Sequence, residues 1–153
     1  MKYTDGKNIM VYAQSADGAP VGAALETVSK AAELAKANGE EVIAVVFGKD
    51  TDTKTVITAG ASKVLVAGEE GLQAEEKAQI LVKLAEKYQP KAVYMAGTPE
   101  GKMIAPAVSA VFESGCVTDV TGITADGVYT SLSYNGNVLN DMKMGENLPV
   151  TGV

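Results

Sequence analysis

Short runs of apolar, often β-branched residues alternate along most of the chain with segments whose apolar positions recur at helical spacing. In the first helical segment, Val21, Leu25, Val28, Ala32 and Ala35 follow steps of four, three, four and three, which trace one helix face. Strand and helix repeat four times, which predicts an α/β fold with a parallel sheet and helices on both faces. The predicted strands are 8–12, 41–47, 63–67 and 92–96, and the helices after them end near Asn38, Gly60, Pro90 and Glu113. Residues 17–20 are predicted to form a turn, with Pro20 suited to the first position of the first helix.

The pattern changes after the fourth helix. Strand-like runs at 117–123, 128–134 and 138–144 follow one another without a helix, and Asn135-Gly136 is a strong signal for a hairpin turn. We therefore expect a small C-terminal antiparallel extension of the same domain, so that residues 1–153 form a single domain. Residues 147–153 are typical of the start of a further strand, which favours a chain that belongs to a longer protein.

Composition removes most catalytic chemistry from consideration. The chain has no His, and all 13 of its basic residues are Lys. Without imidazole there is no Ser-His-Asp or Cys-His arrangement, and without guanidinium there is no bidentate clamp for phosphate. We therefore predict that the chain is not an enzyme and has neither catalytic residues nor a metal site.

Charge and hydropathy limit the partners and the cellular location that we expect for the chain. The net charge is -6 and the lysines are scattered, which disfavours a nucleic-acid partner. The longest apolar run, 42–47, is far too short to span a bilayer, and the N-terminus lacks the pattern of a secretory signal. With Cys116 as its lone cysteine, the chain is expected to be soluble and cytoplasmic, with no membrane partner.

The main candidate binding motif is the Gly-rich segment 97–102 between the fourth strand and the fourth helix. Its backbone N–H groups and helix N-terminus could hold a phosphate, with Thr98, Gly101 and Lys102 as weak cofactor-binding candidates. The spacing is wrong for a Walker A loop, because only three residues separate the glycines and Met103 follows the lysine. The competing interpretation is structural: Thr98 is a good helix cap, and Pro99 a good first helical residue.

Three other features favour structural roles. Gly18 and Gly22 do not form a dinucleotide-binding fingerprint, and they are expected to serve a turn and close helix–sheet packing. Cys116 has no neighbour in sequence that would lower its pKa, so a buried structural thiol is expected. Asp119 is an acid within an apolar strand run, which indicates a structural or interface position.

Several segments read together resemble the electron transfer flavoprotein alpha subunit. Residues 96–110, AGTPEGKMIAPAVSA, resemble the family's Gly-x-x-x-x-Gly-Arg/Lys-x-Leu-Ala-Pro-Arg-x-Ala loop and helix, and residues 115–123 resemble the Thr-Asp-Val/Cys-Thr strand that follows. The opening strand at 9–13 and the Gly-Ala turn at 59–64 also match, in the same order. Ala107 departs from the family pattern, which has Arg there, so an ion pair between subunits through that position is not expected.

The resemblance implies a Rossmann-like, nucleotide-alpha-hydrolase-like domain that corresponds to the N-terminal part of the family protein. It implies FAD in the full-length protein, held by a C-terminal half beyond Val153, and no cofactor on this segment alone. The implied partners are a beta-type subunit in a heterodimer and, through the full complex, an acyl-CoA dehydrogenase-type redox protein. The expected function is that of a scaffold and subunit-interaction domain in FAD-mediated electron transfer; the alternative is a stand-alone AMP- or ATP-binding module.

Overall fold

The computed structural model describes residues 6–69, 71–118, 120–124, 128–133, 138–143 and 150–152. Four helices lie in the chain order that the hydrophobic pattern predicts: α1 (Gly22–Ala37), α2 (Thr53–Ala59), α3 (Ala74–Tyr88) and α4 (Pro99–Phe112). The strands are β1 (Ile9–Tyr12), β2 (Ser15–Ala16), β3 (Ala19–Pro20), β4 (Val42–Phe47), β5 (Lys63–Ala67), β6 (Ala92–Met95), β7 (Cys116–Val117), β8 (Val120–Ile123), β9 (Val128–Ser133), β10 (Val138–Lys143) and β11 (Val150–Gly152).

The main sheet has the strand order β5-β4-β1-β6-β11-β7, and the pairings recorded between its strands are parallel. From β1 the chain moves outward through β4 to β5, and then returns to the other side of β1 with β6. This reversal is the topological switch of doubly wound α/β sheets, where ligand crevices open beyond the carboxyl ends of the strands. The predicted fold class, a parallel sheet with helices and a small antiparallel extension, is confirmed.

Two apolar layers cover the two faces of the sheet. On one face, Val28 and Leu34 of α1 and Val56 of α2 pack against alternate strand residues such as Val11 and Val46. On the other face, α3 and α4 pack against the remaining alternate positions. All six residues of β4 are buried, because helices cover this central strand on both sides. The prediction of helices on both faces is therefore confirmed.

The C-terminal region differs in two respects from its predicted strands. The predicted strand 117–123 is divided: β7 belongs to the main sheet, whereas β8 pairs with β9 in a three-stranded antiparallel sheet of order β10-β9-β8. The run that looked like a strand cut short is β11, which lies between β6 and β7 in the main sheet. Asp119, the Asn135-Gly136 turn, and residues 147–149 and 153 lie outside the described part of the chain.

The entry to α1 also differs from the prediction. Pro20 is not the first residue of a helix; it pairs with Ser15 in a two-stranded ribbon, and α1 begins at Gly22. Asp17 and Gly18, with φ of 52° and 77°, form the tight turn of this ribbon. Two successive positive φ angles are typical of the turns that join two-residue hairpins, so turn geometry decides the structure here.

Candidate functional site

The predicted Gly-rich segment lies at the switch point of the sheet. β1 and β6 are neighbours, and the chain leaves β6 at Met95 and enters α4 at Pro99. Helix α4 packs on one face and α1 on the other, so the carboxyl ends of β1 and β6 line a crevice. The predicted Gly-rich motif therefore lies at the edge of the sheet where α/β proteins bind ligands.

Thr98 and Gly101 are both engaged in forming the start of α4. The Thr98 hydroxyl accepts a hydrogen bond of 3.1 Å from the Gly101 backbone N–H, as a helix cap does, and donates one of 2.5 Å to Oε1 of Gln14. A Cβ atom on Gly101 would lie 2.0 Å from the Ala96 carbonyl oxygen. The glycine therefore serves close backbone packing, and the threonine hydroxyl already has a donor and an acceptor as neighbours.

Lys102 lies on the exposed side of α4, one turn beyond the cap. Its backbone N–H donates a hydrogen bond of 2.9 Å to the Thr98 carbonyl oxygen, which continues the helix from its first turn. The three candidate residues therefore lie together at the start of α4. Thr98 has the hydrogen bond of a helix cap, and Gly101 has the close backbone contact expected of a structural glycine.

An ion-pair network at the same edge joins three side chains that were not among the predicted binding residues. The Lys77 ammonium lies 2.5 Å from Oε1 of Glu100, and the side chains are only 13% and 24% exposed. The Tyr12 hydroxyl donates a hydrogen bond of 3.1 Å to the same carboxylate oxygen and accepts one of 3.2 Å from Lys77. We call these three residues the Tyr12–Lys77–Glu100 network.

The network has a clear electrostatic character. Burial, followed by the negative charge of Glu100 and the hydrogen bond to it, raises the pKa of Tyr12 far above its usual value, so the phenol remains a neutral donor. The Lys77 ammonium also lies within 5.7 Å of the Tyr12 and Phe47 ring centroids, where the ring faces attract a cation. Glu100 is therefore a carboxylate held at the crevice by a phenol and an ammonium of the chain itself.

This arrangement does not fit the pyrophosphate of FAD or the phosphates of a nucleotide. The position near the first turn of α4, where a helix N-terminus favours an anion, already has the Glu100 carboxylate beside it. A phosphate placed there would be repelled by Glu100, and Lys77 is already paired. The geometry therefore disfavours the alternative of a stand-alone AMP- or ATP-binding module.

Cavities flank the switch point on two sides. The smaller, about 250 Å³, is bordered by the network and by the ribbon turn; it is lined by Tyr12, Ser15, Asp17, Gly18, Phe47, Gly71 and Lys77. The larger, about 390 Å³, lies between α1, the end of β6 and strand β8. Its charged groups are Glu26 and Lys30 of α1, and Lys30 lies 3.7 Å from Glu33.

The remaining predicted features have structural positions. Cys116 is partly buried in β7. Burial raises the pKa of its thiol, and a side-chain hydrogen bond with Ser109 lowers that pKa by a smaller amount. Gly22 has open space around its Cβ position, so the expected close packing at that glycine is wrong. Within the described ranges, no cluster of three or more metal-ligating side chains occurs, and no helix is long and apolar enough to cross a membrane.

The sequence did contain one signal for the missed network. Lys77 lies three residues after Ala74 and four before Leu81, so a charged residue falls within the buried stripe of α3. A charge at such a position needs a partner. Tyr12 ends a fully buried strand, and Glu100 lies in the first turn of α4, so only the folded sheet brings the three together.

A second surface feature lies on α4, away from the crevice. Its exposed positions include Met103, Pro106, Ala107, Ala110 and Val111, which recur at helical spacing; we call them the apolar α4 face. Met103 is 59% exposed and Val111 46%. Pro106 lies within the helix, on this exposed side. An apolar stripe is typical of a helix side that packs against another element, yet here it faces outward.

Comparison with known proteins identifies the family. The model of the electron transfer flavoprotein domain matches residues 9–151. The electron transfer flavoprotein alpha subunits of Clostridium acetobutylicum and Thermoanaerobacterium thermosaccharolyticum are 26% and 27% identical over 97% and 95% of this chain, and the chain spans 47% of each. The LctC subunit of the Acetobacterium woodii lactate dehydrogenase (NAD(+),ferredoxin) is 28% identical over 87% of this chain and 34% of its own length. The chain spans about half the length of the curated alpha subunits it matches, and it belongs to the electron transfer flavoprotein family.

Proposed function

We propose that this chain is the scaffold and subunit-interaction domain of an electron transfer flavoprotein alpha subunit. The observation that carries the proposal is the family match over residues 9–151, which spans the main sheet from β1 to β11. Alpha subunits of this family are electron carriers rather than classical enzymes. The proposed single domain, residues 1–153, supports FAD-mediated electron transfer in a heterodimer without supplying catalytic residues of its own.

The flavin is proposed to lie outside this chain. The Tyr12–Lys77–Glu100 network places the chain's own charges at the switch point, and Gly101 and Thr98 are engaged in helix packing and capping. A domain whose switch point carries its own ion pair in this way can stabilise an assembly while another part of the protein holds FAD. The redox partner of the full complex is proposed to be an acyl-CoA dehydrogenase-type protein, in the cytoplasm.

The partner of the apolar α4 face is proposed to be a beta-type subunit. Monomeric proteins rarely expose a contiguous apolar stripe, and such stripes mark interaction sites when polar residues border them. Lys102 and Glu113 lie at the two ends of the apolar α4 face, and both are exposed. The relatives are named as subunits, which supports an obligatory partner.

Co-elution of the chain with an electron transfer flavoprotein beta subunit tests this proposal. The wild-type chain is expected to form a complex, and Met103→Glu, which places a charge within the apolar α4 face, is expected to weaken it by about tenfold or more. Ile57→Glu is the matched control, because Ile57 is similarly exposed, at 47%, but lies on α2 across the sheet. Absence of a complex, or a complex sensitive to Ile57→Glu alone, would contradict the proposal.

A further inference from the structure

Strand β5 forms an open edge of the main sheet. Among the described strands it pairs only with β4. The Ile9 N–H donates to the Glu41 carbonyl oxygen and the Ala13 N–H to that of Val45, so alternate residues of β4 point their backbone groups toward β1. The remaining β4 residues, Val42, Ala44 and Val46, point theirs toward β5. In the recorded register, with Ile43 beside Lys63, these groups bond to Lys63, Leu65 and Ala67. The N–H and C=O groups of Val64 and Val66 therefore point away from the sheet and are available to another strand.

The side chains along this edge are largely apolar, with a charge at each end. Val66 is 49% exposed, and Val64 and Leu65 are only partly buried. Lys63 begins the strand, and Glu69 follows it after the turn at Gly68; both are exposed. An open edge with exposed apolar side chains is a template for strand pairing, which natural proteins either cover or use.

The sequence of this edge is complementary to itself in the antiparallel sense. If β5 pairs with a second β5 so that Val66 lies opposite its own copy, the two Val66 residues point their free backbone groups at each other, and Leu65 lies opposite Ala67. The same register brings Lys63 of each copy to the Gly68–Glu69 turn of the other. Two Lys63–Glu69 attractions, one on each side of the axis, then flank the apolar centre.

We propose that β5 is a dimerisation edge, through which two copies of this chain pair antiparallel and join their main sheets into one. The occupant is a second copy because the charges and the apolar centre match under a two-fold axis. The opposite edge of the main sheet has less backbone for strand pairing, because β7 has only two residues. Helix α4 contacts β6, β11 and β7 at that opposite end of the sheet, so dimerisation through β5 leaves the apolar α4 face accessible.

Sedimentation equilibrium over a concentration series tests the dimer with a charge swap. Lys63→Glu places a carboxylate opposite Glu69 of the other copy, and Glu69→Lys places an ammonium opposite Lys63. Each single change is expected to weaken dimerisation by roughly tenfold, because two like-charge pairs replace two attractions. The double variant Lys63→Glu with Glu69→Lys restores opposite charges and is expected to regain most of the wild-type affinity.

A charge reversal at a site remote from β5 serves as the control. Lys36→Glu makes the same charge change at the exposed end of α1, away from β5, and should leave the dimer unchanged. Lys63 also lies 5.7 Å from the Tyr88 ring centroid, and the double variant does not recover this contact, so its rescue reports on pairing between copies. A wild-type chain that is monomeric at every concentration, or a double variant no better than Lys63→Glu, would overturn the proposal. The measurement needs no beta subunit, so its outcome is separate from that of the proposed function.

Discussion

At the residue scale, Gly101 shows why the Gly-rich segment looks like a binding motif without behaving as one. The glycine lets the first turn of α4 approach the end of β6, where a Cβ atom would lie 2.0 Å from the Ala96 carbonyl oxygen. Backbone atoms on both sides of the contact leave little room for relaxation. The sequence signal, glycine after a strand and before a helix, is the same for a phosphate loop and for close packing.

Gly101→Ala is therefore expected to lower the free energy of unfolding by about 2 kcal/mol, because the overpacking outweighs the better helix propensity of alanine. Urea unfolding of the variant and the wild type measures this difference. Gly22→Ala is the matched control: Gly22 begins α1 with nothing within 4 Å of its Cβ position, and the change should be neutral or slightly stabilising. Equal stabilities of Gly101→Ala and the wild type would refute the packing role.

At the scale of elements, α4 depends on its Thr98 cap. The threonine hydroxyl accepts the Gly101 N–H and donates to Gln14, which ties the helix start to the segment after β1. Thr98→Ala removes both bonds and is expected to cost about 1 kcal/mol of stability. Thr98→Ser keeps the hydroxyl and should lose much less. Thermal unfolding of the pair checks this, and equal losses in the two variants would show that the methyl group, rather than the hydroxyl, matters.

The elements themselves were largely predictable because their signals are local. The apolar stripe of α1 and the continuous apolar run of β4 are read from neighbouring residues, and both elements lie where the pattern puts them. Pro20 was placed wrongly because a hairpin turn at Asp17 and Gly18 competes with a helix start. Strand β11 was recognised as a strand, but its place between β6 and β7 depends on pairing with distant segments.

The candidate site was less predictable for the same reason. Its position at the switch point follows from strand order, which the alternating pattern implies. The Tyr12–Lys77–Glu100 network joins residues from β1, α3 and α4, and no local spacing relates them. Only the charge of Lys77 within an apolar helix stripe indicated that this ammonium needs an ionic or hydrogen-bonding partner.

At the scale of the whole molecule, a pair of tyrosines joins the two sheets. Tyr94 of β6 and Tyr129 of β9 are buried, their hydroxyl oxygens lie 2.9 Å apart, and their rings meet edge to face with centroids 6.2 Å apart. Burial is the main cause that raises the pKa of both phenols, and also that of Tyr12. In the unfolded chain the same groups ionise near pH 10.

These shifts predict a loss of stability at alkaline pH. Below pH 10 the phenols are protonated in both states and their contribution is fully present; above it the unfolded chain releases protons that the folded chain keeps. Each such tyrosine lowers the free energy of unfolding by up to about 1.4 kcal/mol per pH unit. Tyr94→Phe removes one of them, so urea unfolding between about pH 9 and 11.5 should give a shallower slope than the wild type. Lysine deprotonation affects both proteins alike, and parallel stability curves would show that Tyr94 ionises as readily in the folded protein as in the unfolded chain.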